Sequence, residues 1–158
     1  MIRFTRASVA GPFFPFISGP ELTMVITVGQ ELPPLELPPV DRTTLALFAG
    51  ASGDHHPLHL DIDYARRAGM PDVFAHGMLG MAWLGRLLTS WVGQRRIRRI
   101  DVRFGGITHL GHRITCHGRV VELVEVDGER CARVQIATTN QYGQDRIVGD
   151  AIVAVEAA

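Results

Sequence analysis

The sequence predicts an α+β domain in which one antiparallel sheet wraps around a single long helix. Two observations support this prediction. Apolar residues follow a helical period from about His76 to Trp91, and from Ile97 onward the apolar period changes to two, which is typical of strands. A chain of 158 residues is long enough for one such domain.

The first 23 residues differ in character from the rest. They place two arginines before an apolar run, which superficially resembles a targeting segment, but Pro12 and Pro15 break that run and no A-x-A cleavage pattern follows. We expect residues 1–23 to be an N-terminal extension, either disordered or arising from a misassigned start. Residues 24–158 are then the single domain.

Short elements are predicted next along the chain. Two Pro-Pro pairs limit residues 25–40 to an edge strand or a lead-in. Asp41 is a plausible N-cap for a short helix that stops at the glycines of 50–53, and Asp61 caps a second short helix. Between them, residues 54–60 carry three histidines and a proline, and we expect them to form a loop.

The second half of the chain supplies the central helix and most of the sheet. The segment 76–91 is apolar on nearly all sides, which predicts a buried helix. Alternating patterns then predict four strands, with a hairpin turn at Asp127-Gly128 and a looser turn at 140–145. The predicted strands begin at Ile97 and cover 114–126, 131–139 and 147–155.

Composition excludes several functional classes. The 16 basic and 16 acidic residues give zero net charge, which argues against a nucleic-acid partner. No apolar run approaches the roughly 20 residues of a membrane span, so we expect no membrane association and a cytoplasmic protein. Cys116 and Cys131 fall in apolar segments, and we interpret them as small buried residues without a disulfide.

Asp54 and His59 form the first candidate for chemistry. Adding water across a double bond requires one group to take a proton from water and another to protonate carbon. A carboxylate and an imidazole that converge on one water can divide this work, and Pro57 stiffens the loop between them. By spacing alone, a turn-capping Asp54 and a merely packed His59 are an equally good interpretation.

The second candidate is the start of the long helix, at Ala75-His76-Gly77-Met78. A helix N-terminus presents unpaired N–H groups and a partial positive charge. Gly77 lets a ligand oxygen approach these groups, as an oxyanion site for a thioester carbonyl requires. A glycine that serves close helix–sheet packing explains the same pattern about as well.

Two segments of the chain carry a family resemblance: 48–59 (Phe-Ala-Gly-Ala-Ser-Gly-Asp-His-His-Pro-Leu-His) and 74–79 (Phe-Ala-His-Gly-Met-Leu). Together they resemble the MaoC-like (R)-specific enoyl-CoA hydratases of the single-hotdog type, which are also known as (R)-3-hydroxyacyl dehydratases. The family pattern is D-x-N-P-x-H, followed about 20 residues later by H-G-M. The resemblance covers roughly residues 25–156.

The resemblance implies a hotdog fold, a homodimer or higher homo-oligomer with sheets joined edge to edge, and an acyl-CoA or acyl carrier protein thioester as substrate. It implies Asp54 and His59 as the catalytic dyad and the Gly77 N–H as the carbonyl donor. It implies no metal or redox cofactor, because the thioester already acidifies the α-proton. Two departures stand out: His56 replaces the usual Asn, and Gly85 replaces a serine found in some members.

Further candidates concern substrate binding. We count His56, His76 and Met78 among them, together with Arg96 and Arg98 from a run of four arginines that is suited to phosphate groups. A solvated strand edge is the alternative for the arginines. The apolar side chains of the long helix have two possible roles: they line an acyl tunnel, or they simply belong to the core. These side chains are Met78, Met81, Trp83 and Leu84.

A metal site at His55, His59 and Asp61 is not expected. Pro57 prevents the helix on which histidines four residues apart would share a face, and no further ligand is evident. The sequence also leaves two other functions open. One is a hotdog acyl-CoA thioesterase, and the other is a non-catalytic subunit of a heteromeric hydratase. Acyl chain length and the choice of carrier are not encoded in any recognisable pattern.

Overall fold

The computed structural model describes residues 25–155. The predicted extension at residues 1–23 lies outside this range. The described chain contains, in order, β1 (Leu35–Glu36), α1 (Arg42–Ser52), a 3₁₀ turn (Pro57–His59), α2 (Ile62–Arg67), α3 (Gly77–Val92), a second 3₁₀ turn (Gln94–Arg96), β2 (Ile97–Phe104), β3 (Ile114–Val126), β4 (Glu129–Asn140) and β5 (Asp145–Ala154).

The five strands form one antiparallel sheet in the order β1-β3-β4-β5-β2. Strands β3, β4 and β5 follow one another as a meander, while β2 comes from earlier in the chain and pairs with β5. Asp127 and Gly128 join β3 to β4 with φ values of 51° and 80°. Two successive left-handed residues are what a two-residue type I′ hairpin needs, so the predicted turn is confirmed.

Helix α3 lies across one face of the sheet and contacts β2, β3, β4 and β5. Its buried side chains, Leu79, Leu84, Leu87 and Leu88, form one stripe that packs on the sheet. Burying each such leucine stabilises the fold by about 1.5–3 kcal/mol. The predicted buried helix is buried along one face only, because the sheet covers one side and Met78, for example, is 56% exposed.

The two short helices begin where the sequence predicts. The Asp41 carboxylate accepts a hydrogen bond from the Thr44 N–H at 2.7 Å, and α1 ends at Gly53, whose φ of 75° suits a glycine C-cap. The Asp61 carboxylate caps α2 by accepting from the N–H groups of Asp63 and Tyr64. The loop between these helices is shorter than predicted, since Pro57–His59 form a 3₁₀ turn.

The arrangement is the α+β hotdog fold, an antiparallel sheet around one long helix. Cys116 and Cys131 are both buried, as predicted, and their thiols are free. Burial raises the pKa of the Cys116 thiol to about 12, which keeps it protonated and unreactive at neutral pH. Within residues 25–155, no helix has the length and apolarity to cross a membrane.

Candidate active site

The loop that follows α1 is held by a succession of short-range hydrogen bonds. The Asp54 carboxylate accepts from the His56 N–H at 3.2 Å, and His56 Nδ1 accepts from the Leu58 N–H at 3.2 Å. Asp and Asn side chains commonly accept from the N–H two residues on. His56 makes the equivalent contact with a ring nitrogen, so this exposed residue preserves the turn without an Asn.

His59 is oriented by a backbone carbonyl from a distant segment. Its Nδ1 lies 2.8 Å from the Phe74 carbonyl oxygen. A carbonyl can only accept, so Nδ1 carries the proton and the neutral ring keeps its lone pair on Nε2. The Phe74 ring also packs edge-on against the imidazole, at 5.0 Å between centroids. His59 is therefore presented as a base through Nε2.

His76 connects the two predicted catalytic residues. It is 2% exposed, its Nε2 donates to the Asp54 backbone carbonyl at 3.0 Å, and its ring stacks on His59 at 3.9 Å with a 29° interplanar angle. Burial lowers the pKa of His76, and the neighbouring His59 acts in the same direction. With so little of the ring exposed and its Nε2 engaged by the loop, His76 offers little surface to a ligand, and its predicted contact with substrate stays a prediction.

One atom of His76 is left without a partner. Its Nδ1 is buried and, among the described residues, makes no hydrogen bond. An unsatisfied buried acceptor costs roughly 1–3 kcal/mol. Such a group in a folded protein is rare, and a structural role or an ordered water accounts for it.

The spacing of the site suits one bound water. A carboxylate oxygen of Asp54 and one nitrogen each from His59 and His76 all lie within 4.8 Å of one another. A water with two hydrogen bonds of about 2.8 Å bridges groups up to roughly 5.6 Å apart. Asp54 and His59 are thus close enough to hold the same water.

The same three residues are a ligand set that the sequence argument overlooked, because it did not include His76. Zinc binds an imidazole in the ring plane, at about 2.0–2.1 Å from nitrogen. The His59 and His76 rings instead stack face to face, with centroids 3.9 Å apart and a 29° tilt, whereas two imidazoles that bind one ion both point a ring edge at it. The geometry favours an acid/base pair over a metal centre, and the absence of a metal stays a prediction.

Gly77 is the first residue of α3, and His76 provides no side-chain cap for the helix. The Leu79 N–H bonds the His76 carbonyl at 3.1 Å, while the N–H groups of Gly77 and Met78 stay available beside the helix dipole. A Cβ on Gly77 would lie 3.1 Å from the Phe104 ring, so glycine also allows this ring to lie against the helix start. The helix-start site and the packing interpretation of Gly77 are both compatible with the structure.

The helix start opens into a cavity of about 420 Å³. Its wall is mainly apolar and combines α3, the end of β2 and the segment that follows β2. The lining consists of Phe74, Ala75, His76, Gly77, Gly80, Trp83, Phe104, Gly105, Gly106, Ile107, Thr108 and Ile147. Of the side chains predicted to line an acyl tunnel, Trp83 lies here, whereas Leu84 is fully buried core and Met78 lies outside this lining.

Arg146 braces the segment after β2. Its Nη1 donates to the Ile107 carbonyl at 3.2 Å, and its own carbonyl accepts from the Gly105 N–H at 2.8 Å. The guanidinium crosses so close to Gly106 that a Cβ there would lie 2.8 Å from Nη1. The sequence prediction did not include this segment, and the adjacent glycines Gly105 and Gly106 are the signal that could have indicated it.

Arg96 and Arg98 do not join the site within one protomer. Arg98 lies six residues before Phe104 on β2, which is roughly 20 Å of strand. Its guanidinium forms two 2.6 Å hydrogen bonds with the Glu129 carboxylate, while Arg96 donates to the Val155 carbonyl at 3.3 Å. Both arginines are thus engaged at the other end of the strand, and their predicted contact with carrier phosphates stays a prediction.

Comparison with known proteins places these features in a family. The family model described as "MaoC like domain" matches residues 25–141. Among curated proteins, the fatty acid synthase subunit beta of Aspergillus oryzae is 30% identical over 119 residues. That match covers 60% of this chain and 6% of the synthase, so the chain spans only a small part of this relative.

Solved structures of hydratases are similar to this chain as well. R-hydratase PhaJ1 from Pseudomonas aeruginosa superposes with a TM-score of 0.73 at 27% identity, covering 82% of this chain and 81% of that chain. An (R)-hydratase from A. caviae involved in PHA biosynthesis gives 0.73 at 25% identity, covering 83% and 98%. The chain belongs to the MaoC-like family.

Proposed function

We propose that this protein is a hydro-lyase that adds water reversibly to a trans-2-enoyl thioester, giving an (R)-3-hydroxyacyl thioester. The observation that carries the proposal is the placement of Asp54 and His59 within reach of one water, beside an open helix N-terminus and an apolar cavity. The hydratases among the structural neighbours support the same reaction class.

The geometry suggests how the steps are divided. His59 Nε2 accepts a proton from the water as its oxygen bonds to C3, and the negative charge that develops on the thioester oxygen faces the Gly77 N–H. The Asp54–His59 pair then returns a proton to C2, so that water is added in full. We propose that no metal or redox cofactor takes part, since the thioester carbonyl itself stabilises the carbanion-like centre.

The substrate is proposed to be carried on coenzyme A or acyl carrier protein, with its acyl chain in the cavity. A cytoplasmic location is part of the proposal. We also propose a homodimer in which β2 of one copy pairs with β2 of the other. Strand β2 is one of the two edge strands of the sheet, and its Phe104 is 52% exposed and lies against Gly77 at the start of α3.

Substitution of the dyad tests the reaction. We expect Asp54→Asn and His59→Gln to lower the rate of crotonyl-CoA hydration by about 10²–10⁴-fold, because each removes a proton-transfer group. The measurement is loss of enoyl absorbance with the purified protein alone. His55→Gln is the matched control, since His55 is exposed in the same loop and should retain the wild-type rate.

Other outcomes separate the alternatives. Release of free thiol from acyl-CoA without hydration would identify a thioesterase. A wild-type chain that is inactive alone, and becomes active only with a second subunit, would support the partner role. Full hydration by both dyad variants would overturn the mechanism.

A further inference from the structure

We propose that His76 is a positioning residue that sets the relative placement of Asp54 and His59, and that it neither binds substrate nor transfers a proton. This inference rests on the proposed hydratase function. His76 precedes α3, whereas Asp54 and His59 belong to the loop after α1, so His76 is the point at which the long helix holds the catalytic loop.

The first contact fixes the Asp54 end of the loop. His76 Nε2 lies 3.0 Å from the Asp54 backbone carbonyl. Because the carbonyl accepts, Nε2 carries the proton, and the tautomer of His76 is thereby set. The Asp54 carboxylate accepts from the His56 N–H through Oδ1, which leaves Oδ2 for water, while the Asp54 backbone carbonyl is bonded to the residue that precedes α3.

The second contact fixes the His59 ring. The imidazoles of His59 and His76 stack at 3.9 Å, and Phe48 packs on His76 at 5.1 Å. His59 is thus confined by the His76 face, by the Phe74 ring edge and by the hydrogen bond to the Phe74 carbonyl. These restraints hold the His59 ring in one orientation and so fix the direction in which its Nε2 points.

The unpartnered Nδ1 explains why His76 is unsuited to proton transfer. Protonation would place an N–H at a buried position where no described residue accepts it. The titratable groups that His76 contacts, Asp54 and His59, are themselves the proposed dyad. A neutral His76 therefore holds the pair without competing for its proton.

Two substitutions separate the contacts. His76→Phe keeps a flat ring against His59 but removes the donor to Asp54, and His76→Gln keeps an N–H donor at nearly the Nε2 position but removes the ring. We expect His76→Phe to lower kcat for crotonyl-CoA by about 10²-fold, the typical cost of a misplaced catalytic group, with KM within twofold of wild type. We expect kcat of His76→Gln to be at least tenfold higher than kcat of His76→Phe. His117→Phe and His117→Gln, on an exposed position of β3, are the matched controls.

The proposal is overturned if His76→Phe keeps kcat within threefold of wild type, or if it raises KM while kcat is unchanged, as a substrate contact would. Circular dichroism checks that each variant is folded. The ¹⁵N spectrum of labelled histidine gives a readout that is independent of activity, and we expect a neutral Nε2–H tautomer for His76. A wild-type protein that hydrates no enoyl thioester refutes the proposed function, whereas an Nδ1–H or charged His76 at neutral pH refutes this inference.

Discussion

His56 shows how one residue can depart from a family pattern and still perform its local task. An Asn at this position would accept the Leu58 N–H through a side-chain oxygen, and His56 accepts it through Nδ1 at 3.2 Å. The substitution changes the acceptor atom and adds a ring that lies 6.0 Å from the Tyr64 ring. The Leu58 N–H of the catalytic loop therefore keeps a side-chain acceptor at position 56.

This interpretation predicts different results for two variants. His56→Asn should leave the melting temperature and the hydration rate close to wild type, because the acceptor is restored. His56→Ala should lower the free energy of unfolding by about 1 kcal/mol, the usual cost of losing a cap. Chemical denaturation measures both changes. Equal destabilisation by Asn and Ala would show that the ring, and not its Nδ1, matters.

A pH dependence of stability follows from the buried His76 and the half-buried His112. Burial lowers the pKa of His76 and of His112 below the ordinary value of 6.5, so below that pH the unfolded chain binds more protons than the folded one. Stability is therefore lost as pH falls below about 6.5 and continues to fall toward the folded pKa values. Carboxyl groups with lowered pKa values, such as that of Glu129, change the stability of the fold only at more acidic pH.

We expect the wild-type melting temperature to decrease from pH 7 to pH 5 and His76→Phe to show a shallower decrease. Differential scanning fluorimetry at several pH values provides the measurement. His117→Phe should follow the wild-type curve. A melting temperature that does not change over this range in wild type would contradict the burial argument.

At the scale of elements, the pairing of β2 with β5 depends on a glycine that no motif indicated. A Cβ on Gly149 would collide with the Asp101 backbone carbonyl of the neighbouring strand. Backbone atoms cannot rotate aside as a side-chain end can. Gly149 therefore sets how closely the two strands approach, and with it the position of Phe104 at the cavity.

We expect Gly149→Ala to destabilise the fold by about 2 kcal/mol or more, which corresponds to a decrease of roughly 4–8 °C in melting temperature. Gly50→Ala is the matched control. Gly50 lies within α1, and its added Cβ would meet nothing within 4 Å, so this change should stabilise by up to about 1 kcal/mol. Thermal unfolding of both variants decides the matter, and similar melting temperatures would refute the role of Gly149.

At the scale of the whole molecule, the strand order leaves β2 at the sheet edge, with exposed apolar side chains beside it. Unpaired strand edges are natural sites of association. We expect a dimer by size-exclusion chromatography with light scattering. Phe104→Glu should shift it toward monomer, because a charge would enter the apolar contact. The exposed Tyr142→Glu, placed on the turn after β4, should leave the dimer intact, and a wild-type monomer would contradict the proposal.

Much of the fold could be predicted because its signals are local. The Asp41 and Asp61 caps, the Asp127-Gly128 turn and the alternation along β3 each depend on residues within a few positions of one another. The period-two pattern could not tell which strand lies at the edge, since order in a sheet depends on pairing between distant segments. For the same reason, the exposed side of α3 was missed.

For the candidate site, the sequence by itself determined the residue types, Asp54, His59 and Gly77, through their spacing and their family resemblance. Only the tertiary structure decided that Phe74 orients His59 across 15 residues and that His76 holds Asp54 across 22. The tertiary structure also places Arg98 away from this site, where its guanidinium pairs with the Glu129 carboxylate. The physical reason is that spacing fixes only the local backbone, whereas the packing of the catalytic loop against α3 fixes which distant groups meet.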